Sequence, residues 1–158
     1  AALCIGDYAL CGVMENGQPL STHSELVTDD YFDLVALDAA TANSAGLKAD
    51  GTLVTNGLDA EGPAGILALD CTPNGLFALD DTGHVSARFF RSADALDVSG
   101  WEDVIAISAS ATHVAGVTKD GRVLATGLNN KGQCNTKDWV LFTPEPETTE
   151  PPDATPEP

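Results

Sequence analysis

The chain has 158 residues and a net charge of −17, with 24 acidic residues against 7 lysines and arginines. A surface of this charge repels nucleic acid backbones and anionic lipid headgroups, so no nucleic acid partner is expected. The length suits about one domain, and no apolar run approaches the roughly 18 residues of a membrane-spanning helix, so no span is expected.

One pattern recurs four times, and each copy is anchored on a glycine that follows two strand-like segments. The four anchors are Gly17, Gly51, Gly83 and Gly121. Their spacings are 34, 32 and 38 residues, and all of the variation falls after the anchor, so insertions are confined to one part of the repeat. The pattern predicts an all-β domain over residues 1–142.

The first copy, residues 1–30, is partial, because its first four positions would precede Ala1. The chain starts inside a repeat strand without Met, which favours a processed product or an excised piece. Asn16-Gly17 predicts a two-residue hairpin turn in which both turn residues have positive φ. Pro19 has no N–H to donate, so the strand that contains it is expected to be an edge strand or irregular.

The two central copies differ in quality. Residues 31–62 are a clear copy, with an Asp50-Gly51 turn and a first strand, residues 34–37, that is apolar on both faces. Such a strand is expected to be covered on both sides, as in sheets stacked around a ring. Residues 63–100 diverge most, because Arg88-Phe89-Phe90-Arg91 follows the anchor where the second and fourth copies have a glycine-containing exit.

Residues 101–142 are the best copy, and they end on the apolar exit segment 139–142. Beyond it, residues 143–158 hold six prolines and five acidic residues and no basic one. Such a segment cannot bury enough apolar surface to offset its ordering entropy, so it is predicted to be a disordered, extended linker.

The best copy resembles the regulator-of-chromosome-condensation repeat. The matching residues of the fourth copy are Trp101, Asp103, His113, Gly116, Asp120, Gly121, Val123, Gly127, Asn129, Gly132 and Gln133. The second copy matches through Tyr31, Asp33, Gly46, Asp50, Gly51, Gly57 and Gly62. The resemblance implies a β-propeller, usually of seven four-stranded blades, that serves as a protein-binding platform. With about 3.5–4 copies, the chain is then a partial propeller.

His113 is interpreted as a packing residue of the repeat, and His23 and His84 as surface residues. His113 lies near Ser108 and Ser110 in sequence, but no G-x-S-x-G elbow is present, and His113 matches a pattern position of the repeat. His23 and His84 are isolated, with no second ligand at metal spacing. No cofactor is expected.

Calcium binding by Asp29, Asp30 and Asp33 is a weaker interpretation than a structural one. These residues do not form the calcium loop pattern, and Asp33 has a counterpart in Asp103 of the fourth copy. No metal site is predicted.

The cysteines leave two readings open. None of Cys4, Cys11, Cys71 and Cys134 forms a C-x-x-C pair, so a zinc site is not indicated. They are either small buried hydrophobes, which the low cysteine density favours, or members of one or two disulfides in a secreted protein.

Arg88, Phe89, Phe90 and Arg91 are the predicted binding residues. The cluster holds two of the three arginines of the chain beside two aromatic residues, and these residue types are enriched at binding hot spots. The alternative is a strand that buries one phenylalanine and stacks the arginine stems on the sheet.

The expected function is a non-catalytic protein-interaction module of a secreted or cell-surface bacterial protein. One alternative is a secreted enzyme inhibitor of the propeller type, as the family includes an inhibitor of β-lactamases, and another is an enzyme with a site on the propeller face. The partner is expected to be a protein. Completion of the ring is expected from further blades or a homodimer rather than from the exit segment folding back on the first copy.

Overall fold

A computed structural model of the chain describes residues 2–6, 9–41, 43–57, 64–89 and 96–144. These residues form four three-stranded antiparallel sheets and one short 3-10 turn, Ser24–Leu26. The prediction of an all-β, propeller-like chain is confirmed. The linker prediction falls mostly on residues 145–158, which lie outside the described residues.

In each sheet the three strands lie in chain order, so the middle strand pairs with both neighbours. The first sheet contains β1 (Ala2–Ile5), β2 (Leu10–Val13) and β3 (Pro19–Ser21). The second contains β4 (Leu34–Ala40), β5 (Asn43–Lys48) and β6 (Leu53–Thr55). The third contains β7 (Ile66–Thr72), β8 (Gly75–Asp80) and β9 (Val85–Phe89). The fourth contains β10 (Val104–Ala109), β11 (His113–Thr118) and β12 (Val123–Gly127). Each sheet falls within one of the four sequence copies.

The turn between the second and third strands has one form in all four sheets. In the first sheet the N–H of Gly17 donates to the carbonyl of Met14 at 3.0 Å, and the N–H of Met14 donates to the carbonyl of Gln18 at 2.9 Å. Three residues therefore form the loop, and of these only Gly17 has a positive φ, at 78°. The predicted two-residue turn at Asn16-Gly17 is wrong. The loop has three residues, and the left-handed Gly17 alone lets β3 pair with β2 after it. Pro19 begins the outermost strand of its sheet, where its missing N–H breaks no ladder bond to a further strand.

The core consists of three apolar clusters, one between each pair of consecutive sheets. The first cluster joins Cys11 and Val13 of the first sheet to Leu34 and Leu37 of the second. A second cluster lies between the second and third sheets, and a third between the third and fourth. Neighbouring sheets are in contact through their first strands, β1 with β4, β4 with β7 and β7 with β10. The inner sheets are thus covered on both faces, which explains the continuous apolar runs in their strands.

The exit segment, Trp139–Phe142, pairs with the turn of the fourth sheet. Val140 forms an antiparallel bridge with Arg122, and the N–H of Leu141 donates to the carbonyl of Gly121 at 2.8 Å. The alternative in which this segment folds back onto the first copy is therefore not the arrangement of the structure. Within the described residues no helix is long and apolar enough to cross a membrane.

Candidate interaction surface

Arg88 and Phe89 lie on β9, the outermost strand of the third sheet. Arg88 is opposite Leu76 of β8 and Phe89 is opposite Gly75. Side chains alternate between the two faces of a strand, so Arg88 is exposed whereas Phe89 is half-buried. Phe90 and Arg91, the other two predicted binding residues, lie outside the described residues.

Phe89 contributes to the core. Its ring meets the ring of Phe77 edge-on, with 5.5 Å between the ring centroids and an interplanar angle of 83°. Phe77 is fully buried, and Phe89 packs on the cluster between the third and fourth sheets. Of the two predicted binding residues that the structure describes, Arg88 is therefore the exposed one.

A groove of about 420 Å³ runs along β9 beside Arg88. Its walls are Val85, Ser86, Ala87, Arg88, Phe89, Leu96, Asp97, Val98 and Ser99. Arg88 Nη1 donates to the carbonyl of Ala87 at 3.2 Å, which keeps the guanidinium close to the strand. The groove thus combines an apolar wall with one guanidinium at an exposed sheet edge.

Asp97 adds a carboxylate to the same groove. Its Oδ1 accepts hydrogen bonds from Ser99 Oγ at 2.7 Å and from Ser99 N–H at 3.0 Å. These bonds, that of the hydroxyl first, lower the pKa of Asp97. The groove therefore presents both signs of charge at neutral pH, an arrangement suited to recognising a charged surface.

A second groove, of about 600 Å³, lies between the turn of the first sheet and the lead-in to the second. Lys48 Nζ sits 3.6 Å from the ring centroid of Phe32, and Glu15, Asp33 and Asp50 line the rim. The pKa of Asp50 is lowered chiefly because the backbone N–H of Thr52 donates to it. The groove is predominantly acidic, because three carboxylates line it against one lysine, and that lysine is held over an aromatic ring.

Ser110 and His113 contact each other through a turn. Ser110 Oγ lies 2.9 Å from His113 Nδ1, and it also donates to the carbonyl of His113 at 3.0 Å and accepts from its N–H at 3.3 Å. The hydroxyl closes the turn between β10 and β11, so its local role fits the structural interpretation.

Asp33 and Asp103 shape the approach to their sheets. Both have left-handed backbones, with φ of 55° and 54°, a conformation that aspartate tolerates better than most residues. Their carbonyls accept from the N–H groups of Ala49 and Lys119 at 3.1 Å and 2.8 Å, and Lys119 Nζ lies 3.1 Å from Asp103 Oδ1. Among the described residues no group of three or more His, Cys, Asp or Glu side chains could hold a metal.

The other repeat residues pack within their own sheets. Trp101 is buried over Gly116, where an added Cβ would lie 2.8 Å from the indole ring. Tyr31, just before β4, is also buried, and its hydroxyl donates to the carbonyl of Ser44 at 3.0 Å. An added Cβ on Gly46 would lie 2.8 Å from the side chain of Leu34.

The remaining glycines, Gly127 and Gly132, have φ of 113° and 82° in the exit of the fourth sheet. Asp120 lies beside the fourth turn, 2.7 Å from the guanidinium of Arg122.

Two carboxylates that the sequence analysis missed link consecutive sheets. Asp38 Oδ2 accepts from the N–H of Cys71 at 2.6 Å, and Asp70 Oδ2 accepts from the N–H of Ala109 at 2.7 Å. Burial raises the pKa of both groups, that of Asp70 to about 6. Both stand thirteen residues before their turn glycine, so this shared column was the signal in the sequence.

The cysteines are free thiols. Cys4, Cys11 and Cys71 are buried and Cys134 is half-buried, so the first three behave as small hydrophobes in the clusters between sheets. Burial raises the pKa of Cys4 to about 12 and that of Cys71 well above its usual range. Because the thiolate is the reactive form, these two thiols are unreactive at neutral pH.

Comparison with known proteins shows which folds this architecture is similar to. Residues 104–133 match the Regulator of chromosome condensation (RCC1) repeat. No curated protein matches the chain in sequence. Among solved structures, Prp20p from Saccharomyces cerevisiae is similar at 17% identity with a TM-score of 0.68, over 92% of this chain and 50% of its own. The CRINKLY WD40 ectodomain of the Arabidopsis thaliana receptor kinase ACR4 is similar at 14% identity with a TM-score of 0.66, over 80% of this chain and 50% of its own.

A third similar structure is human WBSCR16, at 13% identity with a TM-score of 0.65, over 90% of this chain and 52% of its own. The chain thus spans about half the length of these solved propellers, and the low identities make the likeness one of fold. Residues 104–133 therefore match the RCC1 repeat, and the row of four sheets has the fold of about half of these solved propellers.

Proposed function

We propose that the chain is a non-catalytic protein-interaction module, and that the groove along β9 is its binding surface. The observation that carries the proposal is Arg88, an exposed guanidinium on the outermost strand of the third sheet beside a partly apolar groove. An interaction role fits RCC1-like propellers, and the structure of Prp20p was described together with its binding to Gsp1p and histones. A carboxylate-bearing protein surface with an apolar side chain for the groove is the partner this chemistry favours.

The proposal includes a setting outside the cell, with residues 143–158 spacing the sheets from an anchor or another domain. Six prolines in sixteen residues favour an extended spacer, and the five acidic residues keep it from associating with an acidic chain. Cell fractionation of the native host, followed by immunodetection, tests this part. Detection in the cytoplasmic fraction alone would contradict it.

The decisive test of the binding surface uses the three arginines of the chain. Arg88→Ala with Arg91→Ala is expected to weaken binding of an isolated protein partner at least about tenfold in calorimetry, because a truncated hot-spot arginine costs more than about 1 kcal/mol. Arg122→Ala is the matched control, since Arg122 pairs with Asp120 at 2.7 Å on the fourth sheet. Equal affinities for the double variant and the control would contradict the proposal.

A further inference from the structure

Two of the four cysteines stand directly opposite each other in the first sheet. Cys4 lies on β1 and Cys11 on β2, and the two residues are partners in the antiparallel register. The Cα atoms of opposite residues in such a pair of strands lie about 4.5–5.5 Å apart. The Cα atoms of a cystine are about 4.4–6.8 Å apart, so the backbone already holds these two residues at disulfide spacing.

Both side chains point to the buried face of the sheet. Cys4 is 8% and Cys11 1% exposed, whereas Leu3 and Ile5, the neighbours of Cys4 on β1, are 70% and 79% exposed. The two thiols therefore lie side by side in the cluster between the first and second sheets. The Cβ atoms of opposite residues are typically about 1 Å farther apart than those of a cystine, and β1 is an outer strand of its sheet, where such a small adjustment is local.

The two thiols also interact with each other. Burial is the largest cause of the raised pKa of Cys4, and Cys11 raises it further through its charge and a hydrogen bond between the two side chains. On its other side, Cys11 Sγ lies 3.3 Å from Ser21 Oγ of β3. The Ser21 hydroxyl also donates to the carbonyl of His23 at 2.8 Å, so it keeps a partner when the Cys11 proton is lost.

Neither of the other two cysteines, both of which the structure describes, has a cysteine as its ladder partner. Cys71 of β7 is opposite Leu76 of β8. Cys134 lies in the loop after β12, where its Sγ donates to the carbonyl of Leu128 at 3.5 Å. Of the pairs that four cysteines can form, the strand register therefore favours one.

We infer that Cys4 and Cys11 form a disulfide when the chain folds in the presence of a disulfide oxidant such as oxidised glutathione. The thiolate of one cysteine attacks the sulfur–sulfur bond of the oxidant, which forms a mixed disulfide and releases one reduced glutathione. The second cysteine attacks the protein sulfur of this mixed disulfide, forms the Cys4–Cys11 bond and releases the second glutathione. The two protein thiols are oxidised, and the glutathione disulfide takes up their two electrons and two protons.

The bond is expected to form during folding and to be protected afterwards. In the unfolded chain both thiols are exposed to the oxidant, and only residues 5–10 separate them, so the loop that the bond closes is short. In the folded chain, burial disfavours the thiolate of Cys4 and also keeps reductants from the bond. The inference goes beyond the proposed function, because this pair lies in the first sheet, whereas the groove beside Arg88 lies on the third.

The test refolds the 158-residue chain from urea in a buffer of oxidised and reduced glutathione, removes the glutathione and counts free thiols after denaturation. Two of the four thiols are expected to be lost. Chymotryptic cleavage at Tyr8, followed by mass spectrometry without reduction, is expected to show the Cys4 peptide linked to the Cys11 peptide, lighter by two hydrogen atoms than the sum of the two.

Matched variants assign the bond to this pair. Cys71→Ala with Cys134→Ala keeps the pair and is expected to lose both of its remaining thiols. Cys4→Ala and Cys11→Ala are each expected to keep all three of theirs. The oxidised wild-type chain is expected to melt at least about 4 °C above the same chain refolded with a reductant, because the closed loop restricts the unfolded chain, whereas Cys11→Ala melts at one temperature under both conditions.

Three results would each overturn the inference. They are four free thiols after oxidative refolding, a linked peptide that contains Cys71 or Cys134, and a loss of thiols in Cys4→Ala equal to that of the wild-type chain. None of these measurements involves a binding partner or the location of the chain in its host. Their outcome is therefore separate from that of the proposed function.

Discussion

The turns after the second strands and the exits after the third strands behave in opposite ways. All four turns are three-residue loops closed by one left-handed glycine, with φ between 78° and 87°. The exits of the third and fourth sheets differ: residues 96–99 line a groove beside β9, whereas residues 129–135 form a loop after β12. The backbone requirement of the fold is met at the turns, which leaves the exits free to carry different surface chemistry.

The exit of the fourth sheet shows how such a segment is held without a ladder. Asn129 Nδ2 donates to Asn135 Oδ1 at 2.8 Å, and Asn129 Oδ1 accepts from the N–H of Cys134 at 2.9 Å. Gln133 Oε1 accepts from the N–H of Lys131 at 2.9 Å. The Asn and Gln of the repeat pattern therefore organise their own loop, whereas the exit of the third sheet, which lacks them, leaves a groove.

The largest expected effect comes from a change in the buried core that supports both the turns and the exits. Phe77→Ala removes a fully buried ring that also supports Phe89, so the free energy of unfolding is expected to fall by about 3–5 kcal/mol in urea titration. Leu67→Ala, at a site that is 65% exposed, is expected to change it by less than about 1 kcal/mol. Similar losses in both variants would mean that the sheets do not pack through Phe77.

The comparison between turn and exit is sharpened by two glycines. Gly83→Ala forces a side chain into a φ of 87°, and its Cβ would lie 3.0 Å from Asp103 Cα, so a loss of about 1–3 kcal/mol is expected. Gly100→Ala, in the exit of the third sheet, has no atom within 4 Å of the added Cβ and is expected to be nearly neutral. Chemical unfolding of both variants measures the difference, and a neutral Gly83→Ala would break the comparison.

The pH dependence of stability tests the hydrogen bond by which Asp70 links the third sheet to the fourth. Its pKa of about 6 in the folded chain lies above the unfolded value, so the folded state binds the extra proton. The stability that this proton contributes is fully present below about pH 4 and is lost as the pH rises through 6. Because Asp70 is partly exposed, the loss is expected to be roughly 1–2 kcal/mol.

Asp70→Asn is therefore expected to reduce the fall in stability between pH 4.5 and 7, measured as unfolding free energy at several pH values. The amide keeps an oxygen that can accept from Ala109. Asp29→Asn, at an exposed position, makes the same change in net charge and controls for general repulsion. An identical pH profile in the two variants would contradict the assignment of this dependence to Asp70.

The smallest effect is expected from the C-terminal segment. Removing residues 143–158 takes away prolines, acidic residues, threonines and a single alanine, so the melting temperature is expected to shift by no more than about one degree. Scanning calorimetry of the shortened chain measures the shift. A fall of several degrees would show that this segment packs on the sheets.

The extent of the sequence prediction follows from the range of each interaction. Strands and turns depend on residues a few positions apart. The repeat pattern around Gly51 and Gly121 was therefore enough to predict where the strands and turns of all four sheets lie. The bond from Asp38 to Cys71 joins residues 33 positions apart, and no local pattern announces such a partner. The two-residue turn at Asn16-Gly17 was wrong because Asn-Gly is compatible with two loop lengths, and the ladder registers of the neighbouring strands select between them.

The candidate surface divides in the same way. The sequence placed two arginines and two phenylalanines together in the divergent copy, which was enough to single out Arg88 and Phe89. Whether Arg88 or Phe89 is exposed to solvent depends on the pairing of β9 with β8. A shift of one residue would exchange the sheet faces on which the two side chains lie.

The sequence by itself determined the number of sheets and the positions of the glycine turns, because these depend on local spacing and on glycines that tolerate the required φ. Only the tertiary structure decided which faces are covered. Leu3 and Leu37 occupy the same column of the repeat, yet one is exposed and the other buried. Burial depends on the neighbouring sheet, which a repeat pattern does not specify.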